Sequence, residues 1–218
     1  MLVSDLNSCT LAPDKQDSWR WQGVNNGVST TKRLTHLIDS KLLNVGSNMV
    51  ETLRNNFVPK KVELFIWRSR KKRIPTLIEL DKRGIDLHSV RCPLCDDGVE
   101  SFDHALLFCK KVFDIWEKIF KWWGFNVFSS ASLCEIFQDS TIENMSDLGS
   151  KIWQAVLWSC CYLIWWNRNQ VVFNKKGWTT LVALCEIQLK AFEWIGKRSK
   201  SLHLDWHTWL HNPQSSVM

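Results

Sequence analysis

Cys92-Pro-Leu-Cys95, His104 and Cys109 fall in the spacing C-x2-C-x8-H-x4-C, and three thiols with one imidazole are a donor set suited to Zn2+. Two cysteines two residues apart let one tight turn aim both sulfurs at a single point. Asp96-Asp97-Gly98 is a turn sequence that reverses the chain behind them. His104 and Cys109 lie where a helix is predicted to begin, and bring the second pair of ligands back from the other side. Their five-residue step does not fit one α-helical face, so a distorted first turn is expected there. Four protein ligands leave no position for water, which makes the expected site one structural zinc and not a catalytic one. Three thiolates and a neutral imidazole leave that centre a net charge of about −1, and Arg91, Lys110 and Lys111 stand beside the outer ligands to offset it. The bland alternative is four unrelated residues, with the cysteines acting as small core hydrophobes. Complete ligand spacing favours the metal.

The second chemistry-bearing stretch is Arg68-Ser-Arg-Lys-Lys-Arg73, upstream of the first ligand pair. Lys60 to Arg83 holds nine basic and three acidic side chains, so this stretch accounts for the whole formal net charge of +6. The concentration points to a local anionic partner. Arg68, Arg70, Lys71, Lys72 and Arg73 are the expected phosphate contacts, which would give salt-dependent, sequence-indifferent affinity. Trp67 and Phe102 are placed to stack on unpaired bases if exposed. Two other readings apply to the same run: a solvated turn between helices, and a nuclear-import signal.

The remaining candidates are weaker. Cys9, Cys134, Cys160, Cys161 and Cys185 have no ligand-like spacing to any histidine. His203, His207 and His211 recur every fourth residue, which reads as a surface helix and not as a second metal site. Leu94-Cys95-Asp96-Asp97 is a faint echo of a polymerase carboxylate signature, but Cys95 belongs to the metal set. No Gly-rich phosphate loop or Ser/His/Asp arrangement stands out, so no enzymatic activity is expected.

The elements that must position these residues belong to an ordinary globular chain of 218 residues, 45% hydrophobic and 23% charged. The fold class expected is mainly α with minor β, the β lying at the N-terminus and around the cysteines. Asp17 to Thr30 reads as two short strands about an Asn25-Asn26-Gly27 turn, followed by a helix over Thr31–Asp39. Val62, Leu64, Phe65, Ile66 and Trp67 suit a helix that buries one broad face. Thr76 and Glu79 form a capping box with Gly84 past the helix end. A helix over His104–Trp123 and others near Leu133–Phe137, Lys151–Phe173 and Thr179–Lys197 follow. The last dozen residues show no periodicity and are expected to fray. Fourteen tryptophans against one tyrosine predict that some indoles lie at rims, where the ring N–H finds a partner. Three regions result: a partial N-terminal segment, 1–30; a zinc-binding domain, 31–123; and a Trp-rich helical tail, 124–218.

No basic, apolar leader opens the chain, so an intracellular protein with reduced cysteines is expected, nuclear more than cytoplasmic and not secreted. The apolar run Ala155–Trp166 is shorter than the roughly 18 to 20 residues that span a bilayer, which predicts a buried helix and no membrane partner.

Read in order, these motifs resemble the reverse transcriptase zinc-binding domain of plant non-LTR (LINE-type) retroelement proteins. The likeness rests on Pro59-Lys-Lys-Val62, Phe65-Ile-Trp-Arg68, Arg73-Ile-Pro-Thr76, Leu80-Asp-Lys-Arg-Gly-Ile85 and Cys92-Pro-Leu-Cys95. It continues through Glu100-Ser-Phe-Asp-His104, Cys109, Trp116 and Ile164-Trp-Trp-Asn-Arg-Asn169. Asp17 to Gly27 resembles the hairpin that precedes the domain. One departure is visible: the tryptophan expected shortly before the Pro-Lys-Val segment is replaced by Asn55-Asn56-Phe57. The resemblance implies a non-catalytic module that accompanies a polymerase and contacts nucleic acid, with single-stranded RNA or an RNA/DNA hybrid as ligand. The alternative is a zinc-stabilised docking domain, whose partner would be the retroelement polymerase or another copy of the chain.

Overall fold

The computed structural model describes residues 54–125, 132–138, 145–199 and 202–216. Every described residue belongs to the compact unit Thr52–Met218. The hairpin expected over Asp17–Thr30 and the helix over Thr31–Asp39 lie outside the described residues.

Pro59, its φ fixed near −61°, precedes helix α1 (Lys60–Arg70). Val62, Phe65, Ile66 and Ser69 recur at helical spacing and are buried. The buried face is narrower than expected, because Leu64 (51% exposed) and Trp67 (42%) point to solvent. Asn55, in the Asn55-Asn56-Phe57 stretch, is buried and donates to the Lys151 carbonyl at 2.8 Å and to Gln154 Oε1 at 3.1 Å. Two hydrogen bonds thus hold the entry to α1.

Helix α2 (Leu77–Asp81) follows, and the capping box expected there does not form. The Thr76 side chain makes no cap bond and its Oγ1 is buried without a partner, while Glu79 pairs with Lys82 at 2.8 Å. Glu100, from the zinc loop, supplies the acceptor instead: its Oε2 takes the Leu77 N–H at 2.8 Å. Gly84, at φ +77°, takes the left-handed conformation past the helix end, as its position predicts.

One antiparallel bridge, Arg91 to Val99, is all the β pairing near the cysteines among the described residues. The helix expected over His104–Trp123 divides into a π turn (His104–Phe108) and helix α3 (Lys110–Trp122). Next come α4 (Leu133–Gln138), α5 (Asp147–Asn174), α6 (Thr180–Arg198) and α7 (Trp206–His211), closed by a 3-10 turn, Pro213–Ser216. Ser146 and Thr179 cap α5 and α6 by accepting the N–H groups of Gly149 and Val182.

Helix α5 is the spine. Its apolar run is buried nearly all round, and it packs against α1, α4, α6 and the π turn. No helix among the described residues is long and apolar enough to cross a membrane. Trp116, Trp123, Trp153, Trp158 and Trp209 are all fully buried, while Trp67, Trp166 and Trp206 stay exposed as the composition predicts for some indoles. Trp116 and Trp209 donate to the carbonyls of Leu106 and Gln188, whereas the ring N–H groups of Trp123, Trp158 and Trp178 are buried without partners.

Residues 206–216 pack into this core, contrary to the fraying that their lack of periodicity predicts. Trp209 packs edge-on against Trp122 and Trp123, with ring centroids 5.2 and 5.7 Å away, and Gln214 Nε2 donates to the Trp123 carbonyl at 2.6 Å. Tertiary packing of one large ring replaces the amphipathic repeat that a longer helix would need.

Candidate metal centre

The first ligand pair is carried on a short reverse turn. Asp96 N–H donates to the Cys92 carbonyl at 2.9 Å, and Cys92 N–H to the Gly98 carbonyl at 2.7 Å. Asp96 sits at φ +55°, a conformation that Asp tolerates better than most residues. A Cβ on Gly98 would lie 3.4 Å from His104 Cε1, so the imidazole rests directly over this glycine.

The second pair is carried by the π turn. Cys109 N–H donates to the His104 carbonyl at 2.9 Å, an i to i−5 bond that matches the five-residue ligand step. This is the distortion the spacing predicts. Ser101 Oγ accepts the His104 N–H at 3.1 Å, and Trp116 Nε1 donates to the Leu106 carbonyl at 2.9 Å. The turn is thereby held at both ends and in the middle.

Together these two pieces bring Cys92, Cys95, His104 and Cys109 into one cluster, with every ligand atom within 4.8 Å of the others. Cys92 Sγ lies 3.9 Å from Cys109 Sγ, and Cys95 Sγ lies 3.3 Å from His104 Nε2. A tetrahedral zinc with Zn–S bonds of about 2.3 Å and a Zn–N bond of about 2.0–2.1 Å needs S···S and S···N edges of about 3.8 and 3.6 Å. Both distances agree to within a few tenths of an ångström. Cys92 and Cys109 are fully buried, and Cys95 and His104 are half-buried. The four residues therefore form a single zinc site of the closed, structural kind.

Arg91 Nη1 donates to the Asp96 carbonyl at 3.3 Å, Lys110 pairs with Asp97 at 3.4 Å, and the Lys111 ammonium lies 5.8 Å from the centre of the Trp178 ring. Backbone N–H groups face the sulfurs: those of Lys111 and Val112, at the start of α3, face Cys109, and those of Cys95 and Leu94 face Cys92. The helix N-terminus contributes its positive end to Cys109. The Cys92 thiol is pushed up by its hydrogen bond to Cys109 and by burial, and accepting that bond lowers Cys109. A zinc ion held here would require its cysteine ligands as thiolates, so its binding would release protons.

The basic run lies at the end of α1 and in the turn beyond it. Arg68, Lys71, Lys72 and Arg73 are exposed and Arg70 is half-buried. Lys72 takes φ +51° as the chain leaves the helix, and the N–H groups of Lys72 and Arg73 close it onto the carbonyls of Ser69 and Arg68, both at 2.9 Å. Lys72 Nζ reaches Asp103 Oδ2 at 3.5 Å and lies 5.9 Å from the Phe102 ring centre. The run is thus adjacent to the ligand His104. Trp67 is exposed beside it, and Phe102 is half-buried. His207 and His211 stack at 4.3 Å on the short α7, and the four-residue zinc cluster is the metal-competent group among the described residues.

The arrangement also contains a pair that spacing alone does not reveal. Arg168, from α5, meets Glu100 in a buried, two-pronged ion pair. Both residues lie within stretches that carry the resemblance, yet 68 positions separate them. Their pairing ties the central helix to the zinc segment.

No curated protein and no solved structure matches this chain. Residues 40–116, a span that includes the basic run, all four ligands and Trp116, match the family model described as zinc-binding in reverse transcriptase, an accessory domain that is not itself catalytic.

Proposed function

We propose that this chain is a non-catalytic zinc-stabilised module, derived from a plant non-LTR retroelement polyprotein, that binds unpaired RNA or an RNA/DNA hybrid. Arg68, Arg70, Lys71, Lys72 and Arg73 hold phosphates. The observation that supports this most is the contact of Lys72 with Asp103, which sets the basic run against the ligand-bearing turn. Bound zinc supplies a four-point crosslink that fixes this turn. Arg68 and Arg70 also complement the negative end of α1, and their exposed or half-buried heads stay free for a polyanion. The same run serves as the import signal for a nuclear protein.

The test is a titration of zinc-loaded chain with labelled single-stranded RNA at several salt concentrations. Binding should weaken steeply with salt, and neutralising Arg70, Lys71, Lys72 and Arg73 together should abolish it at moderate salt. Absence of binding at low salt refutes the proposal.

A docking reading has its own support. Phe173, Leu181 and Val182 are 74%, 67% and 57% exposed around the end of α5 and the start of α6. An apolar tip of this kind suits a polymerase surface or a second copy. Capture of such a partner that survives both nuclease and high salt favours docking over nucleic-acid binding.

A further inference from the structure

A cleft of about 320 Å³ opens between α1, α5 and α6, away from the zinc ligands. Three aromatic rings line it: Tyr162 and Trp166 of α5, and Trp194 of α6. Lys61, Glu186 and Lys190 supply its charges. We infer that this cleft binds one unpaired base of a single-stranded nucleic acid, stacked on the aromatic rings, with Lys61 on the adjoining phosphate. The inference rests on the nucleic-acid reading above and adds a second contact that recognises strandedness.

The chemistry of the lining selects such a ligand. The volume falls in the range of small-ligand pockets, which are largely aromatic with a few placed polar groups. Trp166 is 38% exposed at the rim, so its ring face is open to a planar partner. Lys61 Nζ lies 5.5 Å from the centre of the Tyr162 ring and 5.9 Å from that of Trp194. Its flexible stem lets the ammonium turn from those faces to a phosphate while a base takes its place. Glu186 is anchored by a 2.9 Å hydrogen bond from Asn167 Nδ2, and faces the cleft as an acceptor for the amino group of a base. Lys190 is partly occupied by Glu193 at 2.9 Å, which leaves Lys61 as the principal cation.

Continuity with the basic run supports a strand and not an isolated small molecule. Lys61 and Arg68 are seven residues apart on α1, two turns along one face and about 10 Å in rise. Both are exposed. A strand held by Arg68 and its neighbours and running back along α1 therefore reaches the cleft. Base pairing would hide the base faces, so a duplex would engage only the basic run.

The experiment uses the full zinc-loaded chain, a single-stranded RNA of about 12 nucleotides and the duplex of the same sequence. Trp166→Ala and, separately, Lys61→Ala are compared with the parent and with the variant neutralised at Arg70, Lys71, Lys72 and Arg73. Trp166→Ala should weaken single-strand binding about tenfold, within the range expected for loss of one base–aromatic stack, and leave duplex binding unchanged. Lys61→Ala should weaken the single strand selectively as well. If neither substitution alters single-strand affinity while neutralising the run abolishes it, the cleft proposal fails and the module's nucleic-acid function stands. Equal losses for strand and duplex also overturn the cleft proposal. If the parent binds neither RNA at low salt, both readings fall.

Discussion

Arg168 on α5 grips Glu100 of the zinc loop, with Nε at 2.5 Å from Oε1 and Nη2 on Oε2, and both side chains are almost wholly withdrawn from solvent. Glu100 Oε2 also takes the Leu77 N–H at the start of α2, and the Arg168 guanidinium lies 4.9 Å from the centre of the Trp165 ring. One carboxylate thus ties the zinc segment to the first turn of α2 and to the central helix. Removing one partner of a buried, hydrogen-bonded pair leaves the other charge stranded and costs about 3–5 kcal/mol. Glu100→Gln and Arg168→Met should each destabilise by that order in denaturant unfolding. The double variant Glu100→Gln/Arg168→Met should lose much less than the sum. Additive losses would show that the pair is not a coupled unit.

The C-terminal closure predicts a large penalty for one distant residue. Trp209 is completely buried against Trp122, Trp123 and Phe192. Trp209→Ala should cost about 3–5 kcal/mol, the range for emptying a core site of this size. Thermal unfolding checks this directly, and a change below about 1 kcal/mol would contradict the packing.

Much of this architecture is legible from the sequence, and the exceptions share a cause. The zinc ligands and the distorted turn follow from local spacing, because Cys92, Cys95, His104 and Cys109 fall within one short segment. Gly84 and the burial of most of Ala155–Trp166 are equally local, although Trp166 itself is exposed. The capping of α2 is not, since Thr76 and Glu79 fit the box but Glu100 occupies its place from across the fold. Likewise, Asn55 is secured by residues of α5, and Trp209 is ordered by rings far upstream. Lys111 adjoins a ligand in sequence and still directs its ammonium to Trp178. Periodicity and motifs report neighbours along the chain, whereas these side chains answer to neighbours in space.

Stability should fall at alkaline pH because of two thiols outside the metal site. Burial pushes Cys160 and Cys161 up from the ordinary thiol value of 9.0, and Cys161 raises Cys160 further. A raised folded-state value means the unfolded chain loses its protons first, so the contribution is full below pH 9 and declines as pH rises above it. The slope should approach about 1.4 kcal/mol per pH unit for each thiol. Melting curves from pH 8 to 10.5 (about the accessible range) should steepen above 9 in the parent chain, and less so in Cys160→Ala/Cys161→Ala. Identical slopes would place the alkaline loss elsewhere.

Salt should discriminate the role of the basic run. Its five side chains are exposed or half-buried, and the Lys72–Asp103 contact is a surface pair, worth about 0–1 kcal/mol to folding. Neutralising Arg70, Lys71, Lys72 and Arg73 should therefore leave the melting temperature nearly unchanged. The slope of log affinity against log salt for single-stranded RNA should fall by about 3 in magnitude. Anisotropy titrations measure that slope, and an unaltered value would remove these residues from the interface.

Native mass spectrometry of the purified chain, before and after Cys92→Ser, probes the metal centre itself. One zinc per chain is expected in the parent, and little or none in the variant, whose hydroxyl is a far poorer ligand than a thiolate. A parent chain that emerges metal-free after expression in zinc-supplied cells, or a variant that retains its zinc in full, would contradict the assignment.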